Sequence, residues 1–220
     1  MNRNFLLLLF LISFILTFGQ DTLNRTDTRG HKQGFWKKTD TSGKKIYEGR
    51  FKDGIPYGSF CYFYPDGKIK TESFISEGGK RARTVSFYSN GKKMAAGNYL
   101  NEKKDSIWQF FSETEGSMVS EEIYQLGAKD GVSKTYFPEG GLAEILTWKN
   151  GIKSGQWEQY YSDGKIKFRG SYLDNEKTGT IQAFYMSGKI MFIGQYANGH
   201  PVGQWIYYDE KGNLKKKEEN

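Results

Sequence analysis

The sequence predicts an all-β protein: an elongated array of about eight β-hairpins forming one continuous twisted antiparallel sheet. Three observations predict it. One motif recurs eight times at a spacing of about 24 residues, indexed by Gly34, Gly58, Ala82, Asp105, Gly131, Gly155, Gly179 and Gly203. A glycine follows nine places later at Gly43, Gly67, Gly91, Gly140, Gly164, Gly188 and Gly212, and at Gly116 in the fourth copy, where two residues are inserted. A fixed period of this size marks units too small to bury a core alone, which gain one by stacking on their neighbours. The second observation is the turn chemistry. Asp66-Gly67, Asn90-Gly91, Asp163-Gly164 and Ser187-Gly188 each separate two alternating runs, which is the signature of a hairpin with a tight type I′ turn. The third is composition. The chain is 37% hydrophobic and 16% aromatic with 27 glycines, which suits hairpins held by ring faces better than a deep globular interior.

The elements follow in chain order. Asn2, Arg3 and Asn4 precede an apolar run from Phe5 to Phe18, and Thr17 and Gly19 supply small residues before Gln20. This is the layout of a secretory signal peptide over residues 1–19, with cleavage near Gly19/Gln20 and export to the periplasm, cell surface or medium. At ~1.5 Å per residue the run spans about 21 Å, short of the ~30 Å hydrocarbon core, so no permanent transmembrane anchor is expected. Residues 20–33 are polar and aperiodic, and are expected to form a disordered tether. They include an Asn24-Arg25-Thr26 sequon.

Residues 34–214 are the repeat domain. The sixth copy shows the layout best: GQWEQYY, SDGK, IKFRGSYL and DNEKT read as strand, tight turn, strand and looser turn. Ile166, Phe168, Gly170 and Tyr172 share one face at period two, and Ile190, Phe192, Gly194 and Tyr196 repeat them in the next copy. Glu113 to Ser117 is irregular and marks the expected bend. Residues 215–220 form a charged tail whose lysines suit protection of a sheet edge. Cys61, the one cysteine, lies between Phe60 and Tyr62 and reads as an inert packed thiol.

The repeats resemble a known family. Phe192, Gly194, Tyr196, Gly199, Gly203 and Trp205 reproduce the aromatic, glycine, aromatic and spaced-glycine core of the MORN repeat, and YEGRFKDGIPYGSF from Tyr47 and FRGSYLDNEKTGTI from Phe168 fit it too. Where MORN repeats close with Gly-x-Gly, this chain has Gly-x-bulky at Phe60, Trp157, Ile181 and Trp205, with Ile107 in that place in the fourth copy. That form is similar to the bacterial MORN-variant branch. The resemblance implies a β-rich, non-catalytic interaction protein, and many members of the branch carry the label of antitoxin component of a toxin–antitoxin system.

No catalytic constellation is legible, since the two histidines lie far apart and no HExxH, CxxC, Gly-x-Ser-x-Gly or Walker loop occurs. An enzyme is not expected, nor any cofactor or metal. Two periodic features offer a binding surface. Tyr64, Tyr88, Tyr161 and Tyr185, each the second of two adjacent aromatics before a turn, form a candidate ring ladder together with Trp157 and Trp205. Lys44, Lys68, Lys92, Lys165 and Lys189, each following the turn glycine, form a candidate basic edge. The expected partner is a protein, with a glycan or anionic lipid headgroups as alternatives. The +7 charge is spread along the chain without aromatics interleaved at the turns, which disfavours nucleic acid.

Overall fold

The computed structural model describes residues 23–220. The signal-peptide expectation, and residues 20–22 of the expected tether, lie outside the described residues. The strands are β1 (Arg25–Thr26), β2 (Lys32–Thr39), β3 (Lys45–Lys52), β4 (Ile55–Phe63), β5 (Ile69–Ser76), β6 (Arg81–Phe87), β7 (Lys93–Leu100), β8 (Lys103–Phe111) and β9 (Met118–Gln125). They continue with β10 (Ala128–Lys129), β11 (Gly131–Tyr136), β12 (Leu142–Lys149), β13 (Ile152–Tyr160), β14 (Ile166–Leu173), β15 (Glu176–Phe184), β16 (Ile190–Ala197), β17 (His200–Tyr208) and β18 (Leu214–Glu219). Every pairing is antiparallel, and each long strand joins the next in sequence, so eight hairpins make one open meander. A single 3-10 turn at Glu77–Gly79 is its one helical interruption among the described residues.

The two kinds of turn are the reverse of the expectation. The Asp-Gly type connections are three-residue loops: Tyr64 N–H bonds Lys68 O, Gly67 N–H bonds Tyr64 O, and only Gly67 has positive φ (86°). Pro65 and Asp66 thus take a type I turn closed by Gly67, and a separate bulge at Lys70 shifts the register between Tyr62 and Phe63. The type I′ turns are instead the connections between repeats. Positive φ occurs at both central residues of Asp53-Gly54, Asn101-Glu102, Asn150-Gly151, Asp174-Asn175 and Asn198-Gly199. Each of these turns bonds to the start of the hairpin it closes, as in Gly54 N–H to Lys32 O and Gly199 N–H to Lys177 O.

Core packing runs as a row across the strands. The register sets Trp36 opposite Gly49, Gly49 opposite Phe60, Phe60 opposite Ser73, Ser73 opposite Thr84 and Thr84 opposite Gly97. Farther on, Ser133 faces Leu146, Leu146 faces Trp157, and Trp157 faces Gly170. Where a large residue faces a glycine, as Phe60 faces Gly49 and Trp157 faces Gly170, the ring lies on the neighbouring strand. Phe60, Trp108, Leu146, Trp157, Ile181 and Trp205 are buried in this row. Around them Trp148, Phe168, Tyr172, Phe192, Tyr196 and Tyr207 are half-buried on the same face, which we call the ring face.

Three boundaries differ from expectation. The tether is ordered from Leu23: Arg25 and Thr26 pair with Gln33 and Lys32, and β2 begins at Lys32. The Asn24 side chain acts as a further strand residue, donating to Lys37 O at 3.0 Å and accepting from Lys37 N–H at 2.8 Å. That bond occupies the amide of the sequon and covers the edge of β2, which bare would invite pairing. Most of the expected tail lies in β18, fully exposed on both faces. In the fourth copy the index residue is Ser106, not Asp105. Ser106 has φ of 61° and places Trp108 on the core row, leaving Ile107 on the opposite face, half exposed.

Candidate functional site

The candidate tyrosines serve the array itself. Tyr64, Tyr88, Tyr161 and Tyr185 each donate their hydroxyl to a main-chain carbonyl in the next repeat, at Phe87, Phe111, Phe184 and Tyr208, over 2.7 to 2.9 Å. Four of the five candidate lysines do the same. The ammonium groups of Lys68, Lys92, Lys165 and Lys189 donate to carbonyls of Ser89, Thr114, Met186 and Lys211 in the following turn. Lys44 contributes its main-chain N–H to Asp40 Oδ1. Trp157 and Trp205 are buried in the core row. The structure therefore makes these residues staples between repeats or core rings, except Lys44, which bonds within its own turn.

A second lysine row, missed in the sequence, lies where a ligand can reach it. Lys32, Lys104, Lys129, Lys153 and Lys177 sit two places before their repeat's index residue, half-buried on the ring face. Each ammonium lies over rings: Lys32 over Trp36, Lys104 over Trp108, Lys129 over Trp148, Lys153 over Tyr172 and Lys177 over Tyr196, at 4.7 to 5.4 Å. A cation over an electron-rich ring face is held there by the ring quadrupole. The signal is present in the sequence as a lysine recurring with the same period, but offset from the turn glycines that drew attention.

A cluster of charged groups joins the fourth and fifth repeats. Lys129 Nζ meets Glu122 at 2.8 Å, and Tyr124 donates its hydroxyl to the same carboxylate at 2.6 Å. Desolvation and that carboxylate push the Tyr124 phenol well above its usual range. Burial holds Lys104 below the ordinary lysine value, with Glu122 opposing and Lys129 reinforcing the shift. On the opposite face Tyr160 is pushed up to about 12, by burial and then by its bond to Glu158. Burial, with Glu72 and Glu48 nearby, raises the Cys61 thiol, which keeps it protonated and unreactive at neutral pH.

This geometry defines an open β-hairpin repeat array with one ring-rich, lysine-bordered face. A family model described as MORN repeat variant matches residues 56–75, 129–150, 153–174 and 201–219, that is the second, fifth, sixth and eighth hairpins, so the chain carries MORN-variant repeats in these four segments. MORN repeats are generally protein- or membrane-interaction modules. Among the described residues no helix is long and apolar enough to cross a membrane. No curated protein matches the chain. Among solved structures it is similar to TcdB2-TccC3, at 11% identity and a TM-score of 0.24, over 86% of this chain and 13% of that one. A structure of TcdB2-TccC3-TEV is matched at 11% identity and a TM-score of 0.24, over 83% and 12%. The chain thus spans about an eighth of the length of these proteins.

Proposed function

We propose that this chain is an exported, non-enzymatic scaffold that binds a protein partner through its ring face. The observation that carries the reading is the row of half-buried rings from Tyr47 to Tyr207 bordered by Lys32, Lys104, Lys129, Lys153 and Lys177. A single-layer sheet leaves these rings with one side packed on backbone and the other open. Half-exposed aromatics beside cations are the groups that anchor protein interfaces. The lysine row favours a partner bearing carboxylates. Export is proposed from the layout of residues 1–19.

The test is capture of the partner by immobilised protein, comparing Lys153→Glu/Lys177→Glu on the ring face with Arg83→Glu on the opposite face. Binding should fall by about tenfold or more in the first and hold in the second. Loss only in Arg83→Glu would move the interface to the other face and end this reading.

A further inference from the structure

The core row carries small polar residues at two first-strand positions, Thr84 and Ser133, and these are the buried polar residues among those described. At Ser133 the chain repairs the gap itself. The Trp148 indole donates to Ser133 Oγ at 2.8 Å, with Lys129 Nζ 4.8 Å above the ring. At Thr84 no such repair is made. Tyr99 stands in the place of Trp148 but turns its ring edge-on to Trp108, 4.9 Å away. Ile75 stands where six other repeats carry Phe51, Tyr99, Tyr124, Trp148, Tyr172 or Tyr196. Lys80, the counterpart of Lys129, has no ring beneath it and is exposed.

The result is a cavity of about 480 Å³ on the ring face, within the ~300–1,000 Å³ range of small-ligand sites. Its floor carries two hydroxyl pairs, Ser73 with Thr84 at 2.9 Å and Thr71 with Ser86 at 3.3 Å. Each pair uses one of its two protons internally, leaving one O–H and acceptor lone pairs for a further partner. An aliphatic side chain placed here would strip these hydroxyls of water without replacing it. A planar ring with an N–H donor supplies a hydrogen bond to one of these oxygens and leaves the other hydroxyls at the open side within reach of water.

We propose that this cavity binds an indole, the tryptophan side chain of the partner, stacked beside Tyr62 and Tyr99, donating to the Ser73 hydroxyl and lying within reach of Lys80. It sets a ring beside Lys80 and the Ser73–Thr84 hydroxyl pair, much as Trp148 lies beside Lys129 and Ser133 within the chain. The proposal rests on the protein-binding reading above only for the source of the indole.

The experiment titrates the protein with N-acetyl-tryptophanamide and, separately, N-acetyl-leucinamide, following the amides of Ser73 and Thr84 by NMR. The plugged variant Ile75→Trp restores a ring where other repeats have one and so keeps the fold. Ser73→Ala removes the acceptor. Saturable binding of the tryptophan probe about tenfold tighter than leucinamide, lost in Ile75→Trp and weakened about fivefold in Ser73→Ala, is the expected result. No saturable binding, equal binding of leucinamide, or full binding by the plugged variant overturns the proposal. The probe reads the cavity without the partner, so its failure would leave the ring-face assignment standing. Failure of partner capture would likewise leave the cavity result standing.

Discussion

The Trp205 indole lies on the main chain of Gly194: a Cβ added at Gly194 would stand 2.2 Å from Trp205 Cδ2. Phe60 covers Gly49 and Trp108 covers Gly97 in the same way, at 2.0 and 2.3 Å. Gly170 is different, because its nearest neighbours, Trp157 and Ile181, stand off at 3.4 and 3.5 Å. The glycine therefore has a packing role in three repeats and a looser one in the other. Gly194→Ala should cost about 2–3 kcal/mol through forced displacement of the ring, while Gly170→Ala should lie within about 1 kcal/mol of wild type. Urea midpoints of the two variants check this, and equal losses would contradict it.

The buried indoles differ in their polar partners. Trp157 Nε1 donates to Glu144 at 2.9 Å and Trp108 Nε1 to Asn98 O at 2.9 Å, whereas Trp205 Nε1 is buried with no partner. Replacing Trp205 by Phe removes an unsatisfied donor along with some ring area. Trp157→Phe loses a bond to a charged acceptor. We expect Trp157→Phe to cost about 1–2 kcal/mol more than Trp205→Phe in chemical denaturation.

The seams between repeats are unequal. Tyrosine and lysine staples join hairpins two to three, three to four, six to seven and seven to eight. Between four and five, Ser112 occupies the tyrosine position, and β9 meets β11 directly only at Lys134–Glu121 and Thr135–Ser120. Amides of this seam should exchange with solvent faster than those between β14 and β15 when followed by hydrogen–deuterium exchange. The irregular fourth copy thus borders the seam with the shortest ladder among the described residues.

Acid should loosen the turns. Main-chain N–H groups hold the carboxyls of Asp66, Asp163 and Asp209 below their ordinary value of 3.8. A carboxyl depressed on folding contributes stability that is complete above its unfolded value and is lost as pH falls through its folded one. Urea midpoints should therefore fall below about pH 4, and less steeply in Asp66→Asn/Asp163→Asn/Asp209→Asn, where the side-chain acceptor is kept and the charge is not. An unchanged slope would assign the acid sensitivity elsewhere.

The hairpin count, the period and the all-β class were legible because glycine spacing and alternation are local properties of the chain. The turn types were not. Asp-Gly suits both a type I′ turn and a type I turn closed by a glycine bulge, and Pro65 at the first central position favours the second. Asp174-Asn175 and Asn101-Glu102, which take positive φ without glycine, look like loose loops. The index of the fourth copy slipped by one residue because Ser106 adopts the left-handed conformation that glycine adopts elsewhere. The candidate site was half legible. The periodic tyrosines and lysines were found, but strand alternation cannot say that a Tyr64 hydroxyl ends on a carbonyl 23 residues ahead. The lysines over the rings become visible only when the repeats are aligned on the index residue.

One measurement separates the two roles most directly: partner binding and melting temperature determined together for Tyr161→Phe/Tyr185→Phe and for Lys153→Glu/Lys177→Glu. The first pair should lose about 2 kcal/mol of stability, one net hydrogen bond each, with binding intact. The second should melt near wild type with binding lost. The reverse pattern, binding lost with the tyrosine hydroxyls and retained without the lysines, would contradict the account.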